Sequence, residues 1–70
     1  MMPLMLAEKG EENIIKKVGG SPEVKHHLEE LGFTVGSSVI IVSTLGGNII
    51  AKVRDTRVAI NEDLARRIMV

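Results

Sequence analysis

The 70-residue chain has room for one domain. Its nine Lys+Arg and nine Asp+Glu cancel to a formal net charge of +0, which argues against a dedicated duplex DNA or RNA binder, since such proteins carry a basic excess to displace counterions. With no Cys, no Trp and no Tyr, the chain is closed to disulfides, cysteine-ligated zinc, thiol chemistry and most stacking-based recognition.

No uninterrupted apolar run approaches the roughly 18 residues that span a bilayer. The opening Met1-Met2-Pro3-Leu4-Met5-Leu6-Ala7 has no basic region of the kind that precedes a secretory signal, so the expectation is a cytoplasmic protein without direct membrane insertion. Leu4-Met5-Leu6 reads as a short strand, and Glu8 to Glu12 as a charged turn around Gly10. Glu12 to Val18, rich in Ile14, Ile15 and Val18, reads as one strand that Gly19-Gly20 interrupts.

Ser21-Pro22-Glu23 starts a helix. Ser21 can cap free N–H groups, Pro22 suits the first helical position, and Glu23 complements the positive end of the dipole. Val24, Leu28 and Leu31 recur at i, i+4 and i+7 on one face, which predicts a helix over about 22–31. Gly32 is its left-handed stop, with Phe33 packing back on the last turn.

Strand signals fill the rest. Ser37 to Thr44 carries Val39-Ile40-Ile41-Val42, a β-branched run suited to a strand buried on both sides. Leu45-Gly46-Gly47-Asn48 is a hairpin turn, and Ile49 to Arg54 alternates apolar and polar as a half-buried strand does. Asp55-Thr56 turns the chain and Arg57 to Ile60 returns. Asn61 caps a short helical turn over about 62–67, and Ile68-Met69-Val70 closes the sheet. The sum is a mainly β fold, a small partly open barrel of about five strands with one inserted helix. For a chain this size, area scaling predicts about 4,300 Å² of exposed surface in the folded state.

The run Leu28-Glu29-Glu30-Leu31-Gly32-Phe33-Thr34-Val35-Gly36-Ser37-Ser38-Val39 resembles the L-x-x-L-G-hydrophobic-x-x-G-x-x-V pattern of the FeoA family, small cytoplasmic accessory proteins of bacterial ferrous-iron transport. Pro3-Leu4, Gly10, Gly19-Gly20, Arg57 to Ile60 and the terminal Ile68-Met69-Val70 follow in the family's order, so the likeness spans essentially the whole chain as one domain, residues 1–70. The resemblance implies an SH3-like barrel with a helix inserted after the first strand. It also implies a role supporting the membrane ferrous-iron transporter FeoB, through that protein's cytoplasmic GTP-binding domain. The central hairpin loop, Ser43 to Asn48, is shorter than in many relatives. In physical terms Leu28, Leu31, Gly32, Phe33 and Gly36 specify the fold and do no chemistry.

Function then falls to the surface. His26 and His27 diverge by about 100° on a helix and cannot chelate one ion together. His26 with Glu30, at i and i+4, is the better candidate for a weakly held divalent ion, Fe²⁺ or Zn²⁺. The simpler expectation is a solvated His26, a half-buried His27 and no required cofactor. Ser21, Ser37, Ser38 and Ser43 have no His and acid arranged to activate them. Gly19-Gly20-Ser21 lacks the Lys-Ser/Thr of a P-loop, so no catalysis is expected. For docking, Leu45 at the tip of a Gly-rich hairpin is the apolar candidate. Lys52, Arg54 and Arg57 are the cations that would steer an acidic partner.

The leading reading is a non-enzymatic adaptor, with self-association as a further source of stability. Two alternatives compete with it: a small-barrel RNA-binding module and a stand-alone metal-responsive regulatory domain. The first has five basic against three acidic residues from position 52 onward, but only Phe33 to stack a base. The second lacks space for a DNA reader.

Overall fold

The computed structural model describes residues 1–70. Six strands, β1 (Glu12–Ile14), β2 (Lys17–Val18), β3 (Ser38–Leu45), β4 (Asn48–Val53), β5 (Thr56–Ile60) and β6 (Ile68–Met69), alternate with two helices, α1 (Pro22–Glu30) and α2 (Glu62–Ala65). The strands form a four-stranded antiparallel sheet in the order β1-β3-β4-β5 and a two-stranded β2-β6 ribbon. Together they wrap one cluster of 14 buried apolar residues. The exposed surface is 4312 Å², close to the area that scaling predicts for a compact chain of this length.

The predicted strand from Glu12 to Val18 is two strands. The Ile15 amide donates to Ser37 O at 2.9 Å and the next amide, Lys16, donates to Met69 O at 2.8 Å, so the chain leaves one sheet and joins the other within a single residue. That corner is what raises the expected five strands to six. The expected strand at Leu4-Met5-Leu6 is instead a 3₁₀ turn, with Ala7 N–H donating to Leu4 O at 2.9 Å. Of its three apolar residues Leu4 is fully buried in the core, Met5 packs against it half-buried and Leu6 is exposed, a division that a turn permits. Pairing with β6 is limited to Pro3 opposite Met69, and Met2 and Val70 exchange two backbone hydrogen bonds at 2.8 Å.

Helix α1 begins as the sequence predicts, with Ser21 Oγ accepting from Val24 N–H at 3.3 Å and Pro22 in the first turn. It ends one residue earlier, at Glu30, with Leu31 as cap. The stop at Gly32 is a full Schellman ending. Phe33 N–H donates to Leu28 O at 2.9 Å, Gly32 N–H donates to Glu29 O at 3.0 Å, and Leu28 and Phe33 are both fully buried. Helix α2 is four residues long and not six; Asn61 Oδ1 accepts from Leu64 N–H at 2.9 Å, and Arg66 caps the end and pairs with Glu62.

Strand β3 is not buried on both sides. Val39 and Ile41 face the core, whereas Ile40 and Val42 are half-buried on the outer face. A register shift between Ile41 and Ser43 makes Val42 an extra residue, and such a bulge increases the local twist that curls a short sheet into a barrel. Two tight hairpins complete the sheet. Register Leu45↔Asn48 leaves Gly46 and Gly47 as a two-residue loop with φ of 56° and 85°. Register Val53↔Thr56 does the same with Arg54 and Asp55, at φ of 52° and 62°, so the turn lies one residue earlier than expected. Both match the mirror-image turn whose twist suits antiparallel strands.

Candidate functional site

The core contains no polar or charged side chain, so every group capable of recognition lies on the outside. Strands β3, β4 and β5 set the positions. Side chains alternate between faces, so Val39, Ala51 and Val53 point inward while their neighbours point out. One row across the outer face reads Glu12↔Ile40, Ile40↔Lys52 and Lys52↔Arg57. Lys52 and Arg57 are thus direct cross-strand partners of like charge, an arrangement that costs stability. Neither has a carboxylate partner; the close contacts of that kind in the molecule are Glu62 with Arg66 and Glu30 with the His26 imidazole.

Arg54 behaves differently. Its Nη2 donates to Thr34 Oγ1 at 3.1 Å, and Thr34 Oγ1 lies 2.6 Å from Ser37 Oγ. This network ties the β4–β5 turn to the loop that follows α1, so Arg54 braces a junction. Beside it is a shallow cleft of about 320 Å³, with Glu12 on one side, Lys52, Arg54 and Asp55 on the other and Ser37, Ser38 and Ile40 between them. The Thr34–Ser37–Arg54 network is not legible in the sequence. Its one trace is a Thr and a Ser three residues apart around a Gly turn, which says nothing about a distant Arg.

Leu45, the last residue of β3, lies beside the opposite end of β4, 74% exposed. It does not fold back over the barrel mouth. From its pairing partner Asn48 to Lys52 is about 13 Å along the strand, so the structure does not gather the four candidate docking residues into one patch. Near the Leu45 turn is a smaller groove bordered by Met5, Thr44, Ile49 and Glu62. Leu45 and the cations therefore form two separate stations on one sheet.

On α1, His26 Nε2 lies 2.6 Å from Glu30 Oε1, with the two side chains 73% and 63% exposed. His27 is exposed as well, not half-buried, because it falls outside the stripe through which Leu28 enters the core. No third His, Asp or Glu joins them in a cluster able to hold a metal ion. The residues of the Leu28–Gly36 pattern occupy structural places: Leu28, Gly32 and Phe33 are buried, Leu31 packs on the core from the rim, and Gly36 turns into β3. No helix is long and apolar enough to cross a membrane.

Comparison with known proteins agrees with this geometry. The chain is 33% identical over 70 residues to a Methanocaldococcus jannaschii protein named as an Fe(2+) transport protein A, covering 100% of this chain and 85% of that one. A crystal structure described as an iron uptake regulatory protein, FeoA, superposes with a TM-score of 0.90 at 30% identity, over 99% of this chain and 92% of that chain. The zinc complex of Stenotrophomonas maltophilia FeoA, described as a procaryotic SH3 domain protein, gives a TM-score of 0.84 at 26% identity, over 100% and 89% of the two chains. The FeoA domain pattern itself matches residues 2–70, and on that ground the chain belongs to the FeoA family.

Proposed function

We propose that this protein is a non-enzymatic accessory of ferrous-iron transport that acts in the cytoplasm by docking on the GTP-binding domain of a FeoB-type membrane transporter. Family membership supports the transport role, and the name of the M. jannaschii relative points the same way. The observation that carries the docking reading is Leu45, the last residue of β3 beside a two-residue turn, whose apolar side chain is 74% exposed and so adds nothing to the core. Lys52 and Arg57, unpaired on the same sheet, supply the charge that orients an acidic surface. Nucleic-acid binding is the weaker reading, because Phe33, the one aromatic residue, is fully buried and unable to stack.

The test is a pull-down of the isolated transporter GTP-binding domain with wild type and Leu45→Asp. An exposed substitution of this kind alters stability by less than about 0.5 kcal/mol, so both proteins should melt together. Capture by wild type and loss in Leu45→Asp is the expected result. Equal capture by both would remove the hairpin tip from the interface, and no capture by wild type would remove the adaptor role.

A further inference from the structure

The outer edge of β5 has no neighbour. β5 is the last strand of the four-stranded sheet, and β4 is the one element in extensive contact with it. A two-residue hairpin is closed by a hydrogen-bonded pair, here Val53↔Thr56, and such pairs then alternate along the ladder. Thr56, Val58 and Ile60 accordingly face β4, whereas the N–H and C=O groups of Arg57 and Ala59 point away from it. No turn, loop or cap hydrogen bond reaches those groups, and both residues are exposed.

Protein edges are ordinarily blunted by bulges, proline, shortness or charged side chains. This edge has neither bulge nor Pro, its five residues pairing with β4 in unbroken register; its one protecting charge is Arg57, which disfavours a like or cationic strand and leaves the edge open to an acidic one. It also carries charge of one sign, with Arg57 opposite Lys52 on the outer face and no carboxylate paired to either. Val58, between the two free positions, points the other way and is only half covered.

We infer that the β5 edge accepts an extended acidic segment of a partner protein as an added strand, with a carboxylate beside Arg57 and Lys52 and an apolar residue over Val58. Main-chain bonds to Arg57 and Ala59 supply the affinity, and the alternation of carboxylate and apolar side chains supplies the selectivity. A second copy of this chain is a poor occupant, because edge-to-edge pairing of two β5 strands brings two Lys52–Arg57 pairs onto one face. The inference deepens the docking reading by naming the chemistry of the partner segment at the cationic station, away from Leu45.

The experiment uses a fluorescein-labelled peptide, Ser-Val-Glu-Val-Glu-Val-Ser, read by anisotropy and by amide NMR shifts of the intact protein. Saturable binding is expected, with shifts centred on Arg57 and Ala59. A peptide with Lys in place of Glu should bind at least about tenfold more weakly, as should the original peptide toward Arg57→Glu. Ala59→Pro removes one free N–H without touching the β4 ladder, which an edge position tolerates, and should also abolish binding while leaving the NMR spectrum folded. Equal binding of the Lys peptide, shifts centred on the Leu45 turn, or no saturation by wild type would each overturn the inference. Success in the pull-down with failure here removes only the added strand; the reverse pattern removes only the FeoB reading.

Discussion

Gly32 is where the helix stop and the sheet meet, and its replacement by alanine separates two physical costs. The residue has a φ of 108°, and a Cβ built there would lie 3.3 Å from Cγ1 of Val53, a side chain only 1% exposed and unable to move aside freely. The left-handed backbone costs an L-residue about 1–2 kcal/mol. Crowding a packed core adds about 1 kcal/mol more. Loss of unfolded-state freedom offsets about 0.4–1 kcal/mol of this. Gly32→Ala should therefore destabilise by about 2 kcal/mol, which for a domain this small lowers the melting temperature by roughly 8–16 °C. Gly36 is the control: its φ is 93° and nothing lies within 4 Å of the corresponding Cβ. Gly36→Ala meets only the backbone cost, and a loss of about 1 kcal/mol is expected. Urea unfolding followed by far-ultraviolet circular dichroism is the assay, since the chain has no Trp or Tyr to report by fluorescence. Equal losses at the two positions, or a greater loss at Gly36, would refute the claim that Val53 closes over the helix stop.

Asp55→Gly should stabilise by about 0.5–1 kcal/mol in the same assay, because Asp55 sits at φ 62° in a turn that favours glycine; a loss of stability would show that its side chain contributes more than its backbone costs. Phe33→Ala should cost about 3–5 kcal/mol by opening a cavity against Leu28. Against a total stability of roughly 4–10 kcal/mol for 70 residues that loss is a large share, so the melting temperature should fall steeply, and a cooperative melt near wild type would contradict its place in the core. Isothermal titration with Zn²⁺ or Fe²⁺ under anaerobic conditions should show no micromolar site in the monomer, since His26 and Glu30 supply two ligands where a stable site needs three or four. Stoichiometric tight binding that disappears in His26→Ala would reverse this.

What the sequence reveals follows from how local the determining forces are. The Ser21-Pro22-Glu23 start and the Leu28–Phe33 stop are readable because caps act over three to five residues with characteristic side chains. The two hairpins make the contrast. Gly46-Gly47 announces a turn with two positive φ angles, whereas Arg54-Asp55 adopts the same geometry with residues that do not advertise it. There the register of β4 on β5 imposes the turn, and register is a property of two strands. The corner at Ile15–Lys16 is hidden for the same reason, since a run from Glu12 to Val18 with no Gly or Pro in it gives no sign that its hydrogen bonds change partners from Ser37 to Met69. The helical pattern locates Leu28 but misplaces His27, because a nine-residue helix on a small barrel buries a narrower stripe than periodicity alone suggests. Leu45, Lys52, Arg54 and Arg57 can each be singled out in the sequence, yet their division into two stations requires the sheet.

That division has a mechanical consequence. Both stations flank one strand, β4: Leu45 ends β3 and pairs with Asn48 at its start, and Arg57 on β5 pairs with Lys52 near its end, while β4 is clamped at either side by a two-residue turn and buried on its inner face through Ile49, Ala51 and Val53. Groups paired to such an element keep their separation when a partner arrives, so little ordering entropy is lost on docking. A partner engaging Leu45 and Arg57 together must present an apolar pocket and an acidic strand at a matching fixed spacing, and a partner offering one of them alone gains only part of the affinity. Lengthening either turn by one residue would leave every side chain in place chemically while loosening that spacing. Inserting a Gly between Gly46 and Gly47 should therefore weaken capture of the GTP-binding domain yet leave binding of the acidic peptide unchanged. Unchanged capture by that variant would show that the two stations act independently of their separation.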